Sequence, residues 1–195
     1  MKLLYIDCHY GFDAQMLLGA LIDAGASLSD IEESVRDDID DFEIKAGVRT
    51  VLFAECVVAH TRGTIKETTA DMRDIANPVV CSSVMSTLRC LGVDYVISSP
   101  IGIADGTDGE ILSLIYNSGM EARPSDDGDI TKEDVLFLSR ISRESGPMPH
   151  MDIESVGYGS KEDTSDRLVT VYLGEYSGEN FIKADEVTAV HTQIS

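Results

Sequence analysis

Asp7, Cys8 and His9 place a carboxylate, a thiol and an imidazole on three consecutive residues, at the point where an amino-terminal apolar run gives way to polar residues. Together these donors suit a borderline or soft divalent metal such as nickel or zinc better than magnesium. A strand end that leads through a loop into a helix is also a place where side chains and free helix amides converge on a ligand. Neighbouring side chains on an extended backbone point to opposite sides, so one ion does not easily take all three. The structural alternative has Cys8 buried as a small apolar residue and Asp7 accepting hydrogen bonds from loop amides.

The remaining candidates are weaker. His60, His150 and His191 stand alone, without the spacing that puts two imidazoles on one helix face. Gly102, Gly106 and Gly109 are not followed by the Lys and Ser or Thr of a phosphate-binding loop. The acidic runs at residues 37–41 and 126–129 lack the twelve-residue calcium loop with its closing Glu, and read as solvated turns. Carboxylates of the loop 102–110 would serve a hydrolase or transferase only if two of them lay close together with a raised pKa. No GxSxG elbow supports a serine nucleophile.

The elements that must position these residues follow from periodicity. Residues 3–6 form a short apolar strand ending at Asp7. Asp13 then caps a helix whose apolar face is Met16, Leu17, Ala20, Leu21 and Ala24, with Gly25 as its stop. Ser29 and Glu32 make a capping box for a short acidic helix. Residues 42–44 and 48–60 read as an antiparallel hairpin turning at Ala46 and Gly47, and residues 61–74 as a polar loop. Asn77 and Pro78 open a helix that Gly92 stops, and a strand over 94–98 follows. The Gly- and Asp-rich stretch 100–109 reads as loop. A helix over 111–118 closes at Gly119, and Thr131 opens another that runs to Glu144. Residues 153–158 and 167–173 form a second hairpin, beyond which the pattern fades. These elements predict an α+β fold: a mixed sheet with two antiparallel hairpins and flanking helices. Lobes are expected over 1–120 and 121–180, with a tail at 181–195.

The chain has 195 residues, with 35 acidic against 15 basic side chains and a formal charge of −20. Such a surface repels phosphate backbones and anionic lipid, so neither nucleic acid nor a membrane is an expected partner. Four scattered cysteines with no CxxC pair argue against a spaced zinc site and for free thiols in a reducing cytoplasm. The start carries no signal-peptide apolar region.

Three segments, in order, resemble the nickel insertion proteins of nickel-pincer cofactor biosynthesis: YIDCHYGFDAQMLLGALIDAGA (residues 5–26), LGVDYVISSPIGIADG (91–106) and GPMPHMDIESVGYG (146–159). The closing RLVTVYLGE (167–175) is similar to a strand of the same family. Within the first motif Asp7, Cys8, Gly11, Met16, Leu18 and Gly19 match. Asp13, Ala14 and Gln15 depart from the small residue, Gly and Asp that the family carries before its Met. The family's histidine-rich stretch has no counterpart, because residues 62–77 contain no histidine. Its Thr-Pro-Thr-Gly motif survives only at Thr131, and its separate carboxy-terminal domain has no counterpart.

The resemblance implies a cytoplasmic, oligomeric protein that binds nickel and, using CTP with magnesium or manganese, inserts it into pyridinium bisthiocarboxylate mononucleotide. The expected metal residues are Asp7, Cys8 and His9. The missing histidines support an alternative, a non-enzymatic metal- or small-molecule-binding paralogue that acts through a partner such as a complete family member.

Overall fold

The computed structural model describes residues 1–36, 42–48, 55–61, 78–160 and 167–177. The helices are α1 (Ala14–Asp23), α2 (Leu28–Arg36), α3 (Pro78–Cys90), α4 (Gly109–Asn117) and α5 (Lys132–Ile141). The strands are β1 (Lys2–Asp7), β2 (Phe42–Val48), β3 (Glu55–Thr61), β4 (Tyr95–Ser98), β5 (Ile101–Ile103), β6 (Ala122–Pro124), β7 (Glu144–Ser145), β8 (Met151–Ser160) and β9 (Val169–Tyr176).

Among the described residues, seven strands form one sheet in the order β2-β3-β8-β9-β1-β4-β7, and β5 and β6 form a small parallel pair. β2 and β3 are antiparallel, as are β8 and β9, and β9 also runs antiparallel to β1. The pairs β1 with β4, β4 with β7 and β3 with β8 are parallel. The expected α+β class with a mixed sheet is therefore the observed one.

β1 lies inside the sheet and is buried on both sides, which explains its unbroken apolar run. Leu4 and Ile6 join the main core with residues of α1, α2, α3 and α5, while Leu3 and Tyr5 pack with Ile97 on the other face. β9 divides the same way. Val169, Val171 and Leu173 face the helices, and Tyr172 and Tyr176 pack with Leu3 and Tyr5.

α1 sets the geometry at the carboxyl end of β1. The Asp13 carboxylate accepts from the amides of Gln15 (2.8 Å) and Met16 (3.2 Å), and Gly25 takes a φ of 112° just past the helix end. The helix lies against the backbone of β8: a Cβ at Gly159 would stand 1.8 Å from the Met16 carbonyl oxygen. Glycine is needed there because the two backbones touch.

Several expected boundaries are corrected. Ala46 and Gly47 are not a turn but lie inside β2, paired with Val57 and Cys56, because an unbroken ladder runs from Phe42↔Thr61 to Val48↔Glu55. The connection between these strands, the loop at 61–74 and the proposed cap at Asn77 lie outside the described residues. α2 starts at Leu28, with Ser27 rather than Ser29 accepting from the Asp30 amide. Residues 101–103 are strand, because they pair with β6. α5 stops at Ile141, and Glu144 pairs with Ile97 of β4, so sheet hydrogen bonds end the helix early.

Candidate functional site at the carboxyl end of β1

Residues 8–13 connect β1 to α1 and are held by backbone bonds on two sides. The Cys8 carbonyl accepts from Gly11 (3.0 Å) and from Gly102 at β5 (2.8 Å). Phe12 donates to the Asp129 carbonyl (3.1 Å), and the Asp129 amide donates back to Tyr10 (3.3 Å). A Cβ at Gly102 would stand 1.8 Å from the His9 carbonyl oxygen, so only glycine lets β5 approach this closely.

The three predicted residues separate. Cys8 is fully buried in the main core, its sulfur 3.9 Å from the Ile6 carbonyl, and burial pushes its thiol pKa far up, with Asp7 adding to the effect. It is a protonated core thiol. Asp7 and His9, two residues apart, turn to the other side and converge. The Asp7 Oδ1 atom accepts from the His9 amide (3.0 Å) and lies 3.3 Å from the Ser99 hydroxyl, which also accepts from the Cys8 amide (2.8 Å).

Between Asp7 and His9 stands Arg123 of β6. Its terminal Nη2 is hydrogen-bonded to Nδ1 of His9 and lies 3.8 Å from Oδ1 of Asp7. Both side chains of the ion pair are a little over one-third exposed, so the pair contributes less than about 1 kcal/mol. The Arg123 Nε atom is buried with no hydrogen-bond partner among the described residues. Beside this cluster lies a cleft of about 300 Å³ lined by His9, Tyr10, Pro124, Ser125, Asp126 and Asp127. The His9 and Tyr10 rings meet edge to face, with centroids 4.5 Å apart.

Chemically this is a half-exposed carboxylate and an imidazole sharing one cation at the mouth of an acid-rimmed cleft. Among the described residues, no group of three or more His, Cys, Asp or Glu side chains is placed to hold a metal ion. Two of the three carboxylates of the 102–110 loop are engaged elsewhere: Asp108 caps α4 through the Glu110 amide (2.9 Å), and Glu110 pairs with Lys132. The side chains of His60 and His191 lie outside the described residues, as does the acidic run 37–41.

Arg123 and the central role of Ser99 are not readable from local sequence. The one available signal was compositional: Arg123 is a single basic residue in the acidic stretch EARPSDDGD.

The nickel insertion protein family matches residues 4–89. Nickel insertion proteins are what the chain is similar to. Two proteins of Desulfitobacterium hafniense, from strains DSM 10664 / DCB-2 and Y51, are each described as a pyridinium-3,5-bisthiocarboxylic acid mononucleotide nickel insertion protein. Each is 23% identical over a 242-position alignment that covers 92% of this chain. The chain spans about 60% of the length of these nickel insertion proteins. No solved structure matches it at a significant level. Asp7, Cys8 and His9 lie inside the family-matched stretch, whereas Ser99 and Arg123 lie outside it. Among the described residues, no helix is long and apolar enough to cross a membrane.

Proposed function

We propose that this protein handles nickel, as cargo rather than as a resident cofactor, in the cytoplasmic maturation of a nickel-pincer nucleotide. The observation that carries this reading is the convergence of Asp7 and His9 on a single cation, within the stretch that matches the nickel insertion family and beside a cleft. A carboxylate and an imidazole are suitable donors for nickel. Cys8 serves the site by packing beneath it and becomes a metal donor only if its proton and its core contacts are given up.

Insertion in this reading is a lyase-type step that uses CTP with magnesium or manganese. Its partner in this reading is a complete family member or another copy of this chain in a homo-oligomer. A second reading, a non-enzymatic metal- or small-molecule-binding paralogue acting through such a partner, is favoured by residues 62–77, which carry no histidine where the family has its histidine-rich stretch.

Incubation of the protein with nickel, CTP, manganese and the nickel-free pyridinium bisthiocarboxylate mononucleotide, followed by mass spectrometry of the nucleotide, separates the two. Nickel incorporation supports the insertion reading. Incorporation that requires an added full-length relative supports the paralogue reading. Absence of nickel binding and of incorporation under both conditions excludes the insertion reading and the metal-binding form of the second.

A further inference from the structure

We propose that the cleft beside residues 8–13 is a binding site for a planar organic cation with N–H donors, a guanidinium group above all. This inference goes beyond the nickel reading and does not depend on it.

The cleft of about 300 Å³ has two walls, and the chain fixes both before any ligand arrives. One wall is the edge-to-face pair of His9 and Tyr10, and the other is the run from Pro124 to Asp127. Backbone bonds from Phe12 to Asp129 and from Asp129 to Tyr10 join the two segments. At two further points only glycine fits. A Cβ on Gly11, at a φ of 94°, would stand 1.8 Å from the Asp129 carbonyl oxygen, and one on Gly128 would stand 2.5 Å from the Gly102 carbonyl carbon. The Ser125 amide donates to the Ile103 carbonyl (2.9 Å), and the Ser125 carbonyl accepts from Gly128 (3.3 Å), which makes a turn with Asp126 and Asp127 at its corner. A concavity whose backbone is locked in this way loses little freedom on binding.

The side chains of the cleft, by contrast, are uncommitted. Among the described residues, the carboxylates of Asp126 and Asp127 and the hydroxyls of Ser125 and Tyr10 have no hydrogen-bond or ion-pair partner. Both aspartates are exposed, and Tyr10 is 39% exposed. Arg123 pairs with Asp7, and Arg167 with the neighbouring Asp129, rather than with either cleft aspartate.

These groups fit one class of ligand. Two unpaired carboxylates repel phosphate and carboxylate groups and attract positive charge. An accessible aromatic ring favours a cation with a flat face. A guanidinium stacks on such a ring, and its fork of N–H donors matches a carboxylate. The Ser125 hydroxyl supplies one more acceptor. Two adjacent carboxylates without further donors make a poor cage for a metal ion. The volume lies at the small end for ligand pockets, so the cleft takes a terminal group rather than a whole large metabolite. A guanidinium of this kind is carried either by a small molecule or by an arginine side chain of another protein.

The test is a titration of the full chain, followed through its amide NMR shifts, with agmatine as the free guanidinium and N-acetylarginine amide as the peptide-borne one. The controls are N-acetylcitrulline amide, in which a neutral urea replaces the guanidinium, and magnesium chloride. Saturable shifts at Tyr10 and at residues 125–127, with millimolar dissociation constants, are expected for the two guanidinium probes and for neither control. Asp126→Asn combined with Asp127→Asn is expected to weaken binding about fivefold or more, and Tyr10→Leu about threefold. An N-acetylarginine amide affinity within about threefold of that of agmatine, or tighter, assigns the site to an arginine of a partner protein, and a weaker one assigns it to a small molecule. Equal shifts from the citrulline probe or from magnesium overturn the proposal. So does an affinity unchanged in the double aspartate variant, or the absence of saturable shifts with both guanidinium probes. The two aspartates are exposed at a turn, so that variant is expected to fold, which an unchanged unfolding midpoint checks. If Tyr10→Leu does not fold, the double aspartate variant carries the test.

Discussion

Two aspartates, Asp7 and Asp134, each sit where an element ends beside a loop, yet they are used in opposite ways. Asp134 is almost fully buried, and both of its oxygens are taken. Oδ1 accepts from the Ala14 amide at the start of α1 (3.3 Å), and Oδ2 accepts from the Thr131 hydroxyl (2.5 Å) and amide (3.4 Å) in the capping box of α5. It ties together the amino termini of two helices that are far apart in sequence. Burial, with Asp13 adding, nevertheless pushes its pKa up to about 6, even though these hydrogen bonds and the helix dipoles favour the anion. Asp7 is half-exposed and uses one oxygen, and its cationic partner also serves His9. A saturated, buried carboxylate acts as a structural clasp, whereas a partly exposed one that engages a single oxygen keeps the other open to chemistry.

The largest effect is expected at the backbone that holds the Asp7 loop. Gly102→Ala places a methyl group against the His9 carbonyl and is expected to cost about 3 kcal/mol or more, read as a lower urea midpoint with little change in slope. A cost below about 1 kcal/mol would mean that the loop is not tightly held.

The pH dependence of stability sharpens the buried side. A carboxyl group raised from 3.8 to about 6 on folding holds more protons in the folded state. Its stabilising contribution is therefore complete below about pH 4 and is lost as pH rises through about 6. The difference is at most about 3 kcal/mol. Relative to Asp134→Asn, the wild type is expected to gain stability as pH falls from 7 to 4; parallel curves would remove Asp134 as the cause.

Smaller effects follow on the open side. Asp7→Asn and His9→Ala are each expected to change unfolding stability by less than about 1 kcal/mol, because they break only partly exposed contacts. A larger loss would make Asp7 a clasp as well. The thiols provide the mildest probe: brief alkylation of the native protein should label exposed Cys90 and spare Cys8 and Cys81, whose thiols burial raises, that of Cys81 to about 12.

What the sequence made legible was local. β1, the Asp13 cap of α1 and the Thr131 box of α5 are specified by residues within a few positions of one another, and all three are present. The Ala46–Gly47 turn and the long α5 were misplaced because strand pairing, a non-local interaction, overrode weak local signals. The site was half legible for the same reason. Asp7 and His9 belong to one short motif, but Ser99 reaches Asp7 across 92 residues and Arg123 reaches His9 across 114, through a sheet order that no spacing encodes.

The most direct measurement is the nickel affinity of the metal-free wild type at neutral pH beside that of Asp7→Asn combined with His9→Ala. Stoichiometric binding is expected for the wild type and its loss in the double variant, with the unfolding midpoint nearly unchanged. Equal affinities, or no binding by either protein, would contradict the placement of nickel handling at the carboxyl end of β1.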